Sequence, residues 1–273
     1  MSTGDMVRPG VFMHIYLQAK LQARYSRSDR NVKSDLSQAG FNLDLIRTNL
    51  RNMTKLVRNL QWKRSQSAWS DYANRNSYSD ADRDQKMSFV RDIVQEKRRS
   101  MVWDIGCNTG TFSRLAAANS DYVLAMDSDH LSVDLLYRSL SAEAVRNILP
   151  LVVNIADPSP RLGWRLLERK ALSDRGTPDL VLCLALIHHV VIGANVPMTE
   201  FIQWLVELGG DIVIEFVTKG DDMVKGLLRN KPDVYDDYDE GRFEATLSRH
   251  CEILRRQALP SGTRAIYFAT PRR

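Results

Sequence analysis

The sequence predicts an α/β protein, with a doubly wound, mostly parallel sheet preceded by a helical extension. Three observations carry that expectation. After residue 100, short apolar runs alternate with helical patterns at the pitch of a parallel sheet. One of these runs, Val102-Trp103-Asp104-Ile105, enters the glycine turn Gly106-Cys107-Asn108-Thr109-Gly110 and opens a helix at Thr111. Charge is also divided. Residues 1–100 hold 19 Lys+Arg against 10 Asp+Glu, a net of +9, and the remaining 173 a net of −4, which together make the chain's +5. Two functional surfaces follow from that split: a basic helical extension and linker over 1–84, and the sheet domain over 85–273.

In the extension, Val11 to Ala23 reads as a helix, followed by a polar break. From Asn42 to Trp62, Leu43, Ile46, Leu50, Met53, Val57 and Leu60 recur every three or four residues, one face of a long helix. Arg47, Arg51, Lys55 and Arg58 keep the same spacing on another face. Ser65 to Asp84 is rich in Ser, Asn, Asp and Tyr and reads as a loop. A short helix over Gln85–Lys97 turns Phe89, Val90, Ile93 and Val94 inward. Strands are then expected at Met101–Ile105, Tyr122–Met126, Leu149–Ile155, Leu180–Leu186 and Asp211–Val217. Helices fill Phe112–Ala118, His130–Leu140 and Met198–Leu208. Two last strands, Ile253–Ala258 and Arg264–Ala269, are separated by Pro260-Ser261-Gly262, which makes an antiparallel edge hairpin.

Bulk composition excludes several classes. With 44% hydrophobic and 26% charged residues, the 273-residue chain is an ordinary globular one. Three cysteines, none in a C-x-x-C pair, rule out a zinc-finger pattern and argue against a disulfide framework. The start of the sequence lacks the pattern of a signal peptide, and a reducing, cytoplasmic compartment is the expectation. The most apolar run, Leu180 to Ile187, is strand length and stops at His188-His189, so no membrane span is expected.

The turn after the first strand is a cofactor cradle by its chemistry. Gly106 permits a sharp turn with backbone close to a ligand, and Gly110 lets the helix pack tightly. The free N–H groups of the new helix would seat an anion or carboxylate. Asn108 and Thr111 stand where a dinucleotide fingerprint needs glycine, and no Gly-Lys-Ser/Thr closes a phosphate loop. Asp127 ends the second strand, where an acid takes both ribose hydroxyls of a nucleoside; Asp129 is the alternative. Asp157 follows the third strand, where a carboxylate accepts from an adenine amino group. Singly, each acid is more often an ordinary strand-end residue.

With these residues read, the segment 85–273 resembles the class I S-adenosylmethionine (SAM) methyltransferases. The resemblance implies a seven-stranded Rossmann-like methyltransferase sheet, ordered three-two-one-four-five-seven-six, and SAM as cofactor with S-adenosylhomocysteine as product. It places the methionine end on the Asp104–Gly110 loop, including Gly106, Cys107, Asn108 and Gly110, the ribose on Asp127 and the adenine near Asp157. Around Ala156-Asp157-Pro158-Ser159-Pro160-Arg161-Leu162-Gly163-Trp164-Arg165, Leu186-Ile187-His188-His189 and Ile214-Glu215-Phe216-Val217 it tightens toward the nodulation-associated NoeA-type bacterial group. Trp69, Tyr72, Ser77-Tyr78 and Phe89-Val90 are similar to that group's upstream pattern. The chain is expected to begin inside the group's longer amino-terminal region.

Methyl transfer is an in-line displacement, so the site must align a nucleophile and, where required, deprotonate it. His188 and His189, at the end of the fourth strand, are candidate general bases; the bland alternative is one imidazole packed under the sheet and one lining the pocket. Glu215 is the next catalytic candidate, with a structural strand-end acid as its alternative. Trp69, Tyr72 and Tyr78 are candidates for a lid, Tyr78 as a cofactor contact, or else for a linker anchor. Asp157-Pro158-Ser159-Pro160 is not the motif of amino-methylating DNA enzymes, and the cysteines do not suit carbon-5 pyrimidine methylation. No metal is expected, because adjacent histidines on a strand point to opposite faces. The methyl acceptor is expected to be a small molecule or saccharide-like metabolite. The alternatives are RNA gripped by the Arg47/Arg51/Lys55/Arg58 stripe and a non-catalytic SAM-binding partner subunit.

Overall fold

A computed structural model describes residues 9–25, 43–60 and 79–272. The chain divides into two compact units, Met1–Lys63 and Arg64–Arg273. The first contains a helical segment α1 over 9–25, with a π stretch at Phe12–Tyr16, and the helix α2 at Leu43–Arg58. On α2 both stripes expected from the sequence are exposed: Ile46, Leu50, Met53 and Val57 on one side, Arg47, Arg51, Lys55 and Arg58 on the other.

The second unit opens with α3, Asp80–Glu96, which starts five residues before the expected Gln85. Its beginning is a capping effect that the apolar pattern does not report. Ser79 accepts a hydrogen bond from the Asp82 N–H at 3.0 Å, and Asp80 and Asp82 complement the helix dipole. Phe89, Val90, Ile93 and Val94 are buried as the spacing requires.

The sheet contains β1 (Arg99–Ile105), β2 (Ser120–Asp127), β3 (Ile148–Val152), β4 (Leu180–Cys183), β5 (Asp211–Val217), β6 (Cys251–Ala258) and β7 (Arg264–Pro271). Their order is β3-β2-β1-β4-β5-β7-β6, parallel except for β7, which runs antiparallel to β5 and β6. The expected order and edge hairpin are therefore present. Helices α4 (Thr111–Ala117), α5 (His130–Ala142) and α6 (Met198–Glu207) connect the parallel strands. The sheet separates two apolar clusters. One is built on Trp103, Ile105, Met126, Ile187, Phe201 and Phe216, the other on Phe89, Val90, Val102, Leu136, Leu182 and Phe268. Strand order reverses between β1 and β4, the point at which such sheets open a crevice at their carboxyl ends.

Two departures matter for the site. Helices α7 (Asp222–Leu228) and α8 (Glu240–His250) lie between β5 and β6, in a stretch where the sequence reading places no element. Each starts at an aspartate cap, Asp221 and Asp239, and α8 buries only Phe243, Thr246 and Leu247, too thin a stripe for a periodicity signal. Second, β4 stops at Cys183, three residues short of expectation. The chain leaves the sheet through Ala185, whose φ of 52° is left-handed, and then coils into a π-turn at His189–Gly193. His188 is the residue that precedes this turn, so neither histidine is on a strand. Among the described residues no helix is long and apolar enough to cross a membrane.

Candidate cofactor cavity and buried charge cluster

A cavity of about 200 Å³ lies over the carboxyl ends of β1, β2 and β4. Gly106, Asn108, Asp127 and Ser128 form one wall, Val153 to Ala156 a second, and Leu184 to Leu186 with His189, Val190 and Ala194 a third. Gly106 has a φ of 82°, and a Cβ there would come within 3.3 Å of Leu186 across the cavity. The glycine thus keeps the space open as well as making the turn.

The turn is held by the protein's own acceptors. The Gly106 and Cys107 N–H groups both donate to the Met126 carbonyl, at 2.8 and 3.0 Å. The Asn108 N–H donates to Asp127 Oδ2 at 2.8 Å, the Thr109 N–H to Asn108 Oδ1 at 2.7 Å. In the turn itself the amides of residues 106–109 are engaged by β2 and by the loop's own side chain, so the seat expected for an anion is confined to the first turn of α4. Asp104 explains part of the difference. It is 2% exposed, does not line the cavity, and accepts from Ser113 Oγ at 2.5 Å, tying β1 to the first turn of α4. Burial pushes its carboxyl up to about 6, against the bond from Ser113. Cys107 is buried in the apolar cluster with its thiol pushed up by burial, so its side chain is packing rather than lining.

Asp127 is where the sequence places it, last in β2 and on the cavity wall. Its two oxygens take the Asn108 and Asp129 N–H groups, and each retains acceptor capacity. Burial raises its pKa and the backbone N–H groups oppose that. Asp129 is occupied as the cap of α5, accepting from Ser132 N–H and Oγ. Asp157 is exposed, and the cavity wall ends one residue before it, at Ala156. Tyr78, with Trp69 and Tyr72, lies outside the described residues.

The histidines separate cleanly. His189 lines the cavity, and burial, with the Arg264 charge behind it, lowers its pKa to about 4. His188 is fully buried, its ring 4.1 Å from that of His189, with neither ring nitrogen hydrogen-bonded among the described residues. Burial first, then His189, Arg264 and Lys86, hold it well below the usual imidazole range. Because neither histidine is on a strand and the rings meet at a tilt of 42°, the opposite-faces argument against a chelate does not apply, although among the described residues no group of three or more possible metal ligands is present. Glu215 is fully buried on β5 and away from the cavity wall. Its carboxylate accepts from Lys86 Nζ at 2.5 Å and lies 3.4 Å from Arg264, which in turn pairs with Asp221 at 2.7 Å. Desolvation lowers the Lys86 pKa against the pull of Glu215.

No family model matches the chain. The nodulation protein NoeA of Rhizobium meliloti (strain 1021) is 32% identical over 269 residues, 98% of this chain. This chain spans 56% of that relative's length. Among solved structures, the N-methyltransferase NodS from Bradyrhizobium japonicum WM9 superposes with a TM-score of 0.52 at 12% identity, covering 71% of this chain and 99% of that one. A second NodS structure, in complex with S-adenosylhomocysteine, gives 0.50 at 11% identity, with 76% and 100% covered. The fold is that of the class I methyltransferases, and the sequence is similar to NoeA over nearly the whole of this chain.

Within this methyltransferase fold the sequence located the turn, Asp127 and the two histidines. It passed over Lys86 and Arg264, which complete the buried cluster. A signal for Lys86 was present: it shares the spacing of Phe89, Val90 and Ile93 and so falls on the buried face of α3. A lysine on such a face needs a partner. Arg264 offers no comparable signal, because the first residue of an edge hairpin is ordinarily solvated.

Proposed function

We propose that this chain transfers the methyl group of SAM to a small-molecule or saccharide-like acceptor. The observation that carries the reading is the cavity at the strand-order reversal, with Asp127 on one wall and mainly apolar side chains, beside Asn154 and His189, on the other two. The residues present fit the cofactor. Asp127 has acceptor capacity for a ribose diol, Val153 and Ile155 offer an apolar seat for adenine, and Gly106 keeps the floor open. When bound, SAM would supply an electrophilic methyl carbon, open to displacement by the acceptor's electron pair with a neutral thioether as leaving group.

The protein's own contribution is alignment and water exclusion. We assign to His189, which lines the cavity and is neutral at physiological pH, contact with the acceptor or acceptance of its proton, a reading its position supports. His188 and Glu215, offered by the sequence as catalytic candidates, stand behind it as supporting groups, since both are buried away from the cavity wall. The names of NodS and NoeA do not transfer an acceptor to this chain.

Titration calorimetry with SAM and S-adenosylhomocysteine tests the reading, beside Asp127→Ala. Loss of charge-assisted hydrogen bonds of about 1.5–3 kcal/mol predicts affinity lower by roughly 10- to 100-fold in the variant. Equal binding by wild type and variant refutes the assignment of Asp127. A second reading, RNA as acceptor, draws on the exposed Arg47, Arg51, Lys55 and Arg58 of α2. It requires salt-sensitive RNA binding that charge reversal at Arg47 and Arg51 removes. Retained cofactor binding with no acceptor in any labelled extract would favour the non-catalytic partner subunit instead.

A further inference from the structure

Four ionisable side chains, Lys86, Glu215, Arg264 and Asp221, form one buried cluster, each at most 7% exposed at the side chain. Such a cluster is costly to desolvate and is not explained by stability alone. Its position is set by sheet register. Ile105 pairs with Cys183 and Cys183 with Ile214, so Gly106, Leu184 and Glu215 follow one another across β1, β4 and β5 at a single level. Gly106 and Leu184 line the cavity. Glu215 is therefore about one strand spacing from one cavity residue and two from the other, roughly 5 and 10 Å. The Arg264 guanidinium is among the charges that lower the pKa of both histidines, including His189 on the cavity wall.

We propose that Glu215 is a charge-balancing residue that sets the discrimination between cationic SAM and neutral S-adenosylhomocysteine. The inference rests on the cavity being the cofactor site. A nucleoside held by Asp127 would have the part of the cavity over β1 and β4, the side of the cluster, for its sulfur-bearing chain. Lys86 and Arg264 are paired there with Glu215 and Asp221, and the buried Asp104 carboxyl also acts on Lys86. Neutralising Glu215 makes the cluster more positive by one unit, which disfavours a sulfonium and leaves a thioether untouched. The two ligands differ by one methyl group and one charge, so the ratio of their affinities reads this field directly. Release of product after transfer is governed by the same balance.

Calorimetry of SAM and S-adenosylhomocysteine on the full chain tests this. One unit charge at about 10 Å and an effective dielectric near 20 predicts that Glu215→Gln lowers SAM affinity relative to S-adenosylhomocysteine by about tenfold. Lys86→Met leaves an excess of negative charge and shifts the ratio the other way. The Lys86→Met/Glu215→Gln double variant returns it to within about twofold of wild type, since the two changes cancel. Should Glu215→Gln fail to fold, Asp221→Asn frees Arg264 while preserving the α7 cap and shifts the ratio in the same direction. A variant that weakens both ligands equally assigns Glu215 a structural role and overturns the inference, leaving the cofactor site intact. Wild-type protein that binds neither ligand overturns both.

Discussion

Gly110→Ala is the sharpest stability test of the cofactor turn. Gly110 precedes α4 with φ at 85°, and a Cβ built on it lies 2.4 Å from Leu136 Cδ1 and 2.9 Å from Cδ2. Leu136 is 1% exposed on α5 and cannot swing into solvent. The left-handed conformation costs an alanine about 1 kcal/mol, and forcing a methyl into a packed contact adds about 1–3 kcal/mol. A total of about 3 kcal/mol lowers the melting temperature of a domain this size by about 6–12 °C. Circular dichroism melts on wild type and variant measure it directly. Gly226→Ala is the control: it lies inside α7 with nothing within 4 Å of its Cβ, so alanine there is neutral or stabilising by up to about 1 kcal/mol. A Gly110→Ala protein melting within about 2 °C of wild type would show that the turn relaxes freely and that the tight α4–α5 packing argument is wrong.

Asp104 makes stability pH-dependent. Its folded pKa, about 6 against an ordinary 3.8, is raised, so its contribution is fully present below pH 3.8 and is lost as pH rises through 6. A shift of this size corresponds to about 3 kcal/mol, and urea unfolding of Asp104→Asn should lose that slope; an unchanged pH dependence refutes the assignment. All three thiols, Cys107, Cys183 and Cys251, are buried with their pKa values pushed up by burial. A disulfide-exchange reagent should therefore titrate them only after denaturant is added, and prompt reaction in native buffer would contradict the packing. Tyr238→Phe removes a buried hydroxyl that donates to the Val217 carbonyl at 2.8 Å. The expected loss is about 1–2 kcal/mol in denaturant unfolding, and none at all would mean that water or another donor serves that carbonyl.

Much of the fold was legible because its determinants are local. Strand β1, its glycine turn and α4 declare themselves by residue order, and the edge hairpin by Pro260-Ser261-Gly262. Asp127 was found for the same reason, as an acid closing an apolar strand. Where the sequence reading missed, the cause was long-range or one of capping. The start of α3 is decided by Ser79, and α7 and α8 by aspartate caps over thin apolar stripes. Asp157 sits at the right place in the chain and still stands outside the cavity, since the loop after β3 bends its wall with Val153 to Ala156.

The sequence by itself determined the strands, the glycine turn and the candidate acid on β2, since each depends on neighbours within a few residues, while the strand order came from a family resemblance. Only the tertiary structure decided the roles of the charged groups. Asp104 became a helix tie because Ser113 folds back onto it, 9 positions away. Glu215 became part of an ion cluster because Lys86, 129 positions upstream, and Arg264, 49 downstream, are brought to it by α3 and β7. His188 and His189, identical in sequence terms, were divided by a π-turn into a buried ring and a cavity-lining one. Charge, burial and reach are properties of the assembled environment, and residue type alone does not contain them.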